Sequence, residues 1–290
     1  RFNAALSKGK SASLKKVTLT PDDYAFLQYT GGTTGVSKGA ALTHGNVLSN
    51  VAQNELWVQA LFNVKRRPDQ LVYICALPLY HIFALTVNAM MGMQQGAHNI
   101  LIPNPRDIPA FVKELQSHKF HIFPGLNTLF NALLHNDDFK KIDFKPLMLT
   151  IGGGMAVQGA VAKQWKKLTG STICEGYGLS ETSPVATANR FDGTEFTGTI
   201  GLPLPSTEIV IRDEGGKGGR AEDEGTSSGL GHVLFLPLVD RRAPCRDRRL
   251  CGATSAVPTR VARSSRSAHT SLHPDQSRSV LERGPKTWVR

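Results

Sequence analysis

The chain has 290 residues, 40% hydrophobic and 20% charged, with a formal net charge of +11. This composition excludes a collagen-like repeat and a wholly disordered chain, and four scattered cysteines (75, 174, 245 and 251) exclude a disulfide-built scaffold and favour a reducing compartment. The charge is uneven: up to Asp213 there are 14 Lys and 6 Arg against 15 acidic residues, whereas the last 77 residues carry 2 Lys and 12 Arg against 8.

The first residues hold no apolar core segment of a secretory signal and no initiating Met, so the true start is expected upstream. Residues 25–29 and 39–42 read as strands. Thr43 can then cap a helix through Trp57 that places Val47, Leu48 and Val51 on one face. Residues 70–105 contain no charged side chain, a length that raises the question of a membrane span. Pro78, His81, Asn88, Gln94 and Gln95 interrupt it, which favours a buried strand at 71–77, a turn, a buried helix over 82–94 and a strand at 99–102. Asp107 caps the next helix, with Ile108, Phe111, Val112 and Leu115 at helical spacing. A β-type run at 120–123, a helix at 127–134, a strand at 147–151, a helix at 157–168 and a strand at 172–174 follow. Continuous apolar strands alternating with amphipathic helices predict an α/β fold whose sheet is covered on both faces.

Cys75 and Cys174 lie in apolar runs, where a small buried side chain is expected. Cys245 and Cys251, with His232 upstream, lack the short pairing of a zinc site, and no metal site is predicted there. Beyond Asp213 the pattern changes. Residues 214–231 are rich in Gly and Glu, 233–239 form one isolated apolar run, and 240–290 are rich in Arg, Ser, Pro and Thr without periodicity. Two readings compete, a basic tail that binds polyanions and a sequence read in the wrong frame or past a splice. Phe235 and Trp288 are its only aromatic residues, so stacking platforms for single-stranded nucleic acid are missing.

Two segments carry chemistry. In the first, Thr30, Gly31, Gly32, Thr33, Thr34, Gly35 and Lys38 lie between two predicted strands. Glycines let backbone N–H groups turn toward an anion, the threonines add hydroxyl donors and Lys38 adds a positive charge, a set suited to a polyphosphate. The Walker pattern is not met, and a flexible Gly/Thr hairpin is the competing structural reading. In the second, Gly176, Tyr177, Gly178, Ser180 and Glu181 follow a strand, as do Gly152, Gly153 and Gly154. Both groups fall at carboxyl ends of strands, the usual ligand position in open α/β sheets. Tyr177 can offer its ring to a purine, and Glu181 can hold Mg²⁺ beside phosphates.

The segments YTGGTTGVSKGA, PLYHIFALT, GGGM, EGYGLSETSP and GTIGLPLPST, in this order, resemble the adenylate-forming superfamily of acyl-CoA synthetases, luciferases and peptide-synthetase adenylation domains. The stretch NPRDIPAFVKEL to NTLFNALL is most similar to bacterial long-chain fatty-acid–CoA ligases. The resemblance implies the central part of the large N-terminal domain of such an enzyme over residues 1–213, with 214–290 a low-complexity, disordered tail in a non-native frame. It implies that Thr30, Gly31, Gly32, Thr33, Thr34, Gly35 and Lys38 bind the ATP phosphates, and that Gly152, Gly153, Gly154, Glu175, Gly176, Tyr177 and Gly178 line the adenine pocket. Glu181 would coordinate Mg²⁺, Ser180 takes a position the family usually gives to Thr, and Ser37 replaces a common Pro. His81 falls beside the acyl site, core packing being its alternative.

The implied reaction joins a fatty acid to ATP as acyl-adenylate with release of pyrophosphate, after which the CoA thiol displaces AMP. Lys38, Ser180, Glu181 and His81 are its expected catalytic set. A cytoplasmic enzyme is implied, with peripheral contact at the inner membrane face left open and no nucleic-acid partner. Family members are about twice as long. Their Thr-Gly-Asp motif and the catalytic Lys of their C-terminal domain have no counterpart here, so impaired turnover is expected. Adenylation of another acid, or nucleotide or polyanion binding without catalysis, are the alternatives.

Overall fold

The computed structural model describes residues 1–30, 38–212, 218–220, 231–237, 259–261 and 288–289. In chain order it contains α1 (Phe2–Gly9), the hairpin strands β1 (Tyr24–Thr30) and β2 (Lys38–Thr43), α2 (His44–Val64) and β3 (Val72–Cys75). One helical run follows, made of α3 (Ile82–Ala84), a π-helical turn (Leu85–Met90) and α4 (Met91–Gln94). Then come β4 (His98–Leu101), α5 (Ile108–Gln116), β5 (Ile122–Gly125), α6 (Asn127–Leu134), β6 (Leu149–Gly152), α7 (Gly159–Thr169), β7 (Ile173–Gly178), β8 (Val185–Ala188), β9 (Leu202–Pro203) and β10 (Thr207–Arg212). Past residue 213 the described segments are strands: β11 (Gly218–Arg220), β12 (Gly231–Pro237), β13 (Thr259–Val261) and β14 (Trp288–Val289).

The main sheet has seven strands in the order β4–β3–β5–β6–β7–β8–β9. Pairing is parallel from β4 to β7 and antiparallel for β8 and β9. Side chains alternate across it. Tyr73, Ile122, Leu149 and Cys174 pack on one face with Val51, Val58 and Leu61 of α2 and Val87 and Met91 of the helical run. Ile74, Phe123 and Ile173 pack on the other with Phe111 of α5, Phe130 of α6 and Trp165 of α7. Because both faces are covered, neither set of alternate positions can be polar, which is why these strands read as unbroken apolar runs.

Local signals explain the helix ends. Thr43 Oγ1 accepts from Asn46 N at 3.2 Å while Asn46 Oδ1 accepts from Thr43 N at 3.0 Å, a reciprocal cap at the start of α2. Asp107 Oδ1 accepts from Ala110 N at 3.1 Å, and α7 ends at Gly170 with φ +74°, a conformation in which glycine is unstrained. Two expectations for α2 change. It runs seven residues beyond Trp57, because Val58 and Leu61 continue its buried stripe and no Gly or Pro intervenes. Leu48 is 64% exposed, since it stands about 100° around the helix from the buried Val47.

The charge-free stretch folds as β3, the helical run and β4, and among the described residues no helix is long and apolar enough to cross a membrane. Cys75 and Cys174 are buried free thiols, and burial pushes both up to about 11, which leaves them protonated and inert near neutrality. The apolar run near 233 pairs as β12 with β10, from Thr207 opposite Pro237 to Arg212 opposite His232. The loop 31–37 and residues 213–217, 221–230, 238–258, 262–287 and 290 lie outside the described residues.

One histidine couples the sheet to pH. Val72 N–H donates to His121 Nδ1 at 3.0 Å, and burial holds this imidazole below its ordinary value. Nδ1 must stay unprotonated to accept. The group's contribution is therefore complete above the ordinary histidine value and is lost as pH falls below it toward the lowered folded-state value. Melting temperatures measured between pH 7 and pH 5 should fall more in the wild type than in His121→Asn, whose Oδ1 can accept without titrating; parallel profiles would remove this role.

Candidate active site

A cavity of about 290 Å³ opens where the carboxyl ends of β6 and β7 face the helical run. Its wall is chiefly apolar, with Ile82, Phe83, Val87, Met91, Ile151 and Phe191 contributing. Three chain segments separated in sequence meet there. Gly152, Gly153 and Gly154 arrive from β6, Gly176, Tyr177 and Gly178 from β7, and Ser180 and Glu181 from the 3₁₀ turn Ser180–Thr182. His81 stands at the same cavity as the residue preceding α3, where its Nδ1 accepts from Phe83 N at 3.2 Å. It is exposed, which removes the core-packing alternative.

Gly152, Gly153, Gly154 and Gly178 each have a local reason to be glycine, three of them a close approach and Gly154 its backbone angle. A Cβ on Gly152 would lie 2.7 Å from Val157 Cγ2 and 2.9 Å from Ile173 Cγ2, and one on Gly153 would lie 3.0 Å from the Phe83 ring. Gly154 has φ +72°, where a side chain is strained. Gly178 is the tightest, since a Cβ there would lie 1.9 Å from Pro184 O. The glycines thus let β6, β7 and the helical run close on one another, and the same closeness exposes backbone at the cavity.

Glu175 differs from expectation. It is not on the cavity wall; β7 alternation puts it on the α7 face with Ile173, where its Oε1 accepts from Val157 N at 2.8 Å. Burial raises this carboxyl above the ordinary range, and the Val157 N–H partly offsets the rise. The carbonyl of Glu175 accepts from Asn189 N at 2.8 Å and from Asn189 Nδ2 at 3.2 Å. Glu175 therefore anchors the glycine loop after β6 and the segment after β8, and acts on the cavity through them.

The glycines expected to follow a strand at 174 are instead the last residues of β7. The antiparallel β8 extends the pairing, with Gly176 opposite Ala188, Tyr177 opposite Thr187 and Gly178 opposite Val185. Tyr177 lines the cavity and packs with Leu179 against Ala186 and Ile209. Of the segment expected to bind phosphates, Gly31, Gly32, Thr33, Thr34 and Gly35 lie outside the described residues. Thr30 and Lys38 are paired as the last and first residues of β1 and β2. This hairpin is linked to the cavity through Gln28 Nε2, which donates to Tyr80 O at 2.8 Å one residue before His81, and through Ala40 and Leu42, which pack with Ile82.

Sequence reasoning missed a polar stripe on α2. Asn54 lines the cavity, and Asn50, Gln53 and Trp57 reach main-chain groups of Val185, Pro205 and Asn189. Their signal was available: amide and indole donors at positions 50, 53, 54 and 57 follow helical spacing between the apolar positions 47, 51, 58 and 61.

The profile of the AMP-binding enzyme family matches residues 2–226, more than three quarters of the chain. The chain belongs to the AMP-binding enzyme family. It is 50% identical over 215 residues to the long-chain-fatty-acid–CoA ligase of Yersinia pestis, covering 74% of this chain and 38% of that protein. The enzyme of the same name from Bacillus subtilis is 35% identical over 214 residues, 73% of this chain and 37% of that one. This chain thus spans less than two fifths of the length of these relatives. Among solved structures, ATP-bound MatB from Rhodopseudomonas palustris superposes with a TM-score of 0.65 at 26% identity, over 80% of this chain and 43% of that one. The anthranilate CoA ligase AuaEII with anthranoyl-AMP superposes with a TM-score of 0.66 at 24% identity, covering 77% of this chain and 41% of that chain, and shares the fold. The AMP-binding family is therefore represented here by its α/β sheet.

Proposed function

We propose that this AMP-binding chain carries the nucleotide- and acyl-binding part of a long-chain fatty-acid–CoA ligase, acting on ATP, a fatty acid and CoA. The observation that carries the reading is the single cavity wall shared by Gly152–Gly154, Tyr177, Ser180 and Glu181, on a chain 50% identical to enzymes of that name. In this reading the backbone of Gly152, Gly153, Gly154, Gly176 and Gly178 borders the adenine, and Tyr177 stacks on it. The segment from Thr30 to Lys38 holds the phosphates, and Ser180 contacts phosphate or the acyl carboxylate. His81 borders the acyl site beside the apolar wall, where each buried CH₂ of the chain contributes about 0.8 kcal/mol.

Glu181 suits Mg²⁺ in a particular way. Among the described residues no three His, Cys, Asp or Glu side chains cluster as a cage. Mg²⁺ is commonly held by one or two carboxylates together with substrate phosphates, and the one carboxylate of Glu181 on the cavity wall matches that donor set. When bound, the ion neutralises phosphate charge; the chain's own part is to orient ATP and the acid in line and to exclude water.

Turnover by these 290 residues alone is expected to be low, because the sequence contains no Thr-Gly-Asp motif. Residues 227–290, beyond the family match, have no role in this reading, and translation of the coding DNA in its other two frames should reveal that motif; its absence in both removes the frame explanation. ATP–pyrophosphate exchange with palmitate tests the activity itself. Weak exchange that depends on palmitate supports the proposal, and exchange driven only by an aromatic or amino acid replaces it with adenylation of that acid.

A further inference from the structure

We infer that Asn50, on α2 and outside the cavity wall, is a positioning residue for the end of the cavity formed by Ser180 and Glu181. Its side chain is 3% exposed and its hydrogen-bonding capacity is fully used. Nδ2 donates to Val185 O at 2.7 Å and to Gln53 Oε1 at 3.1 Å, while Oδ1 accepts from Val185 N at 3.1 Å and from Asn54 Nδ2 at 3.1 Å. Asn54 Nδ2 also donates to Asn50 O at 2.7 Å. One amide thus occupies both main-chain groups of Val185, as a neighbouring strand would, and the surrounding bonds fix which way it faces.

Val185 is the point from which the cavity turn is hung. It opposes Gly178 across β7 and β8 and follows Pro184, whose carbonyl accepts from Leu179 N at 3.1 Å and from Thr182 Oγ1. Leu179 N also takes Thr182 Oγ1 as acceptor at 2.8 Å. The hydrogen bonds of Asn50 with Val185 and of Leu179 with Pro184, joined by the peptide bond between Pro184 and Val185, therefore link α2 to the turn that carries Ser180 and Glu181. A buried amide at this place that merely filled core space would not need both groups of a single residue, and an apolar side chain there would leave Val185 N–H and C=O unpaired.

The inference rests on the reading that Glu181 faces Mg·ATP, and the test separates the two. Binding of ATP to the full 290-residue chain is measured by calorimetry with Mg²⁺ and with EDTA, alongside AMP binding and melting temperature, for wild type, Asn50→Leu and Asn50→Asp. Wild type should bind ATP more tightly with Mg²⁺. Asn50→Leu should lose that Mg²⁺-dependent gain, about tenfold in affinity, while AMP binding changes by less than about twofold. Asn50→Asp, which keeps the acceptor and loses the donor, should be intermediate. A retained gain in Asn50→Leu overturns the inference alone, as does an equal loss of ATP and AMP affinity tracking a lower melting temperature. Wild-type ATP affinity that ignores Mg²⁺ overturns the reading of Glu181, and the inference with it.

Discussion

Gly178→Ala is expected to dislodge the turn that forms one end of the cavity, with a loss of about 3 kcal/mol in stability. The new Cβ would sit 1.9 Å from Pro184 O and 2.7 Å from Pro184 C. Both are backbone atoms, so no side-chain rotation can make room. Either the pairing of Gly178 with Val185 opens or the Ser183–Pro184 segment moves, and each disturbs Leu179, Ser180 and Glu181. Gly176→Ala is the matched control, since its Cβ would meet Thr187 O at 3.4 Å, an ordinary contact. Its stability should remain within about 1 kcal/mol of wild type. Urea unfolding of both variants decides the matter: equal, small losses would show that the backbone near Pro184 yields more easily than its hydrogen bonds imply.

Trp165→Ala is expected to have the larger effect on the fold, about 3–5 kcal/mol. The indole of α7 is fully buried on the face of the sheet that carries Phe123. Its ring lies 5.6 Å from Phe123, 4.8 Å from Phe130 and 5.6 Å from Phe139, so α6, α7 and the segment between α6 and β6 all meet on it. Nε1 also donates to Thr150 Oγ1 at 3.0 Å, and Thr150 Oγ1 donates to Ser171 Oγ at 3.0 Å. Truncation removes the aromatic volume and leaves Thr150 with one partner fewer inside β6. Against a typical total of about 5–15 kcal/mol, such a loss removes a large share of the stability and should move the denaturant midpoint strongly downward. Trp165→Phe keeps most of the volume and should lose about 1–2 kcal/mol, the hydrogen bond and residual cavity together. If chemical unfolding gives the two variants the same midpoint, the volume argument fails.

The strands and helices were legible because their causes are local. Asp107 and Thr43 announce helix starts, and Phe111, Val112 and Leu115 keep helical spacing on one face. Helix α6 occupies the residues expected for it, 127–134. Periodicity failed where the tertiary neighbour decides the outcome. Leu48 has the same chemistry as its buried neighbours but faces away from the sheet, and β7 continues through Gly178 only because β8 returns to pair with it.

Residue type and spacing alone establish the alternation of apolar strands and amphipathic helices and the set of glycines, hydroxyls and carboxylate suited to a nucleotide site, while the family is read from the likeness of whole motifs and shown by the match over residues 2–226. These features need no partner to be read. It took the packed molecule to bring Gly152, Tyr177, Glu181 and His81 to one cavity, to turn Glu175 away from it onto Val157, and to set Asn50 against Val185. Residues 50 and 185 are distant in the chain, and an amide's role depends on which main-chain groups the packing of α2 against β8 places within hydrogen-bond reach. That distance information is absent from local pattern, because it is created when the sheet closes against the helix.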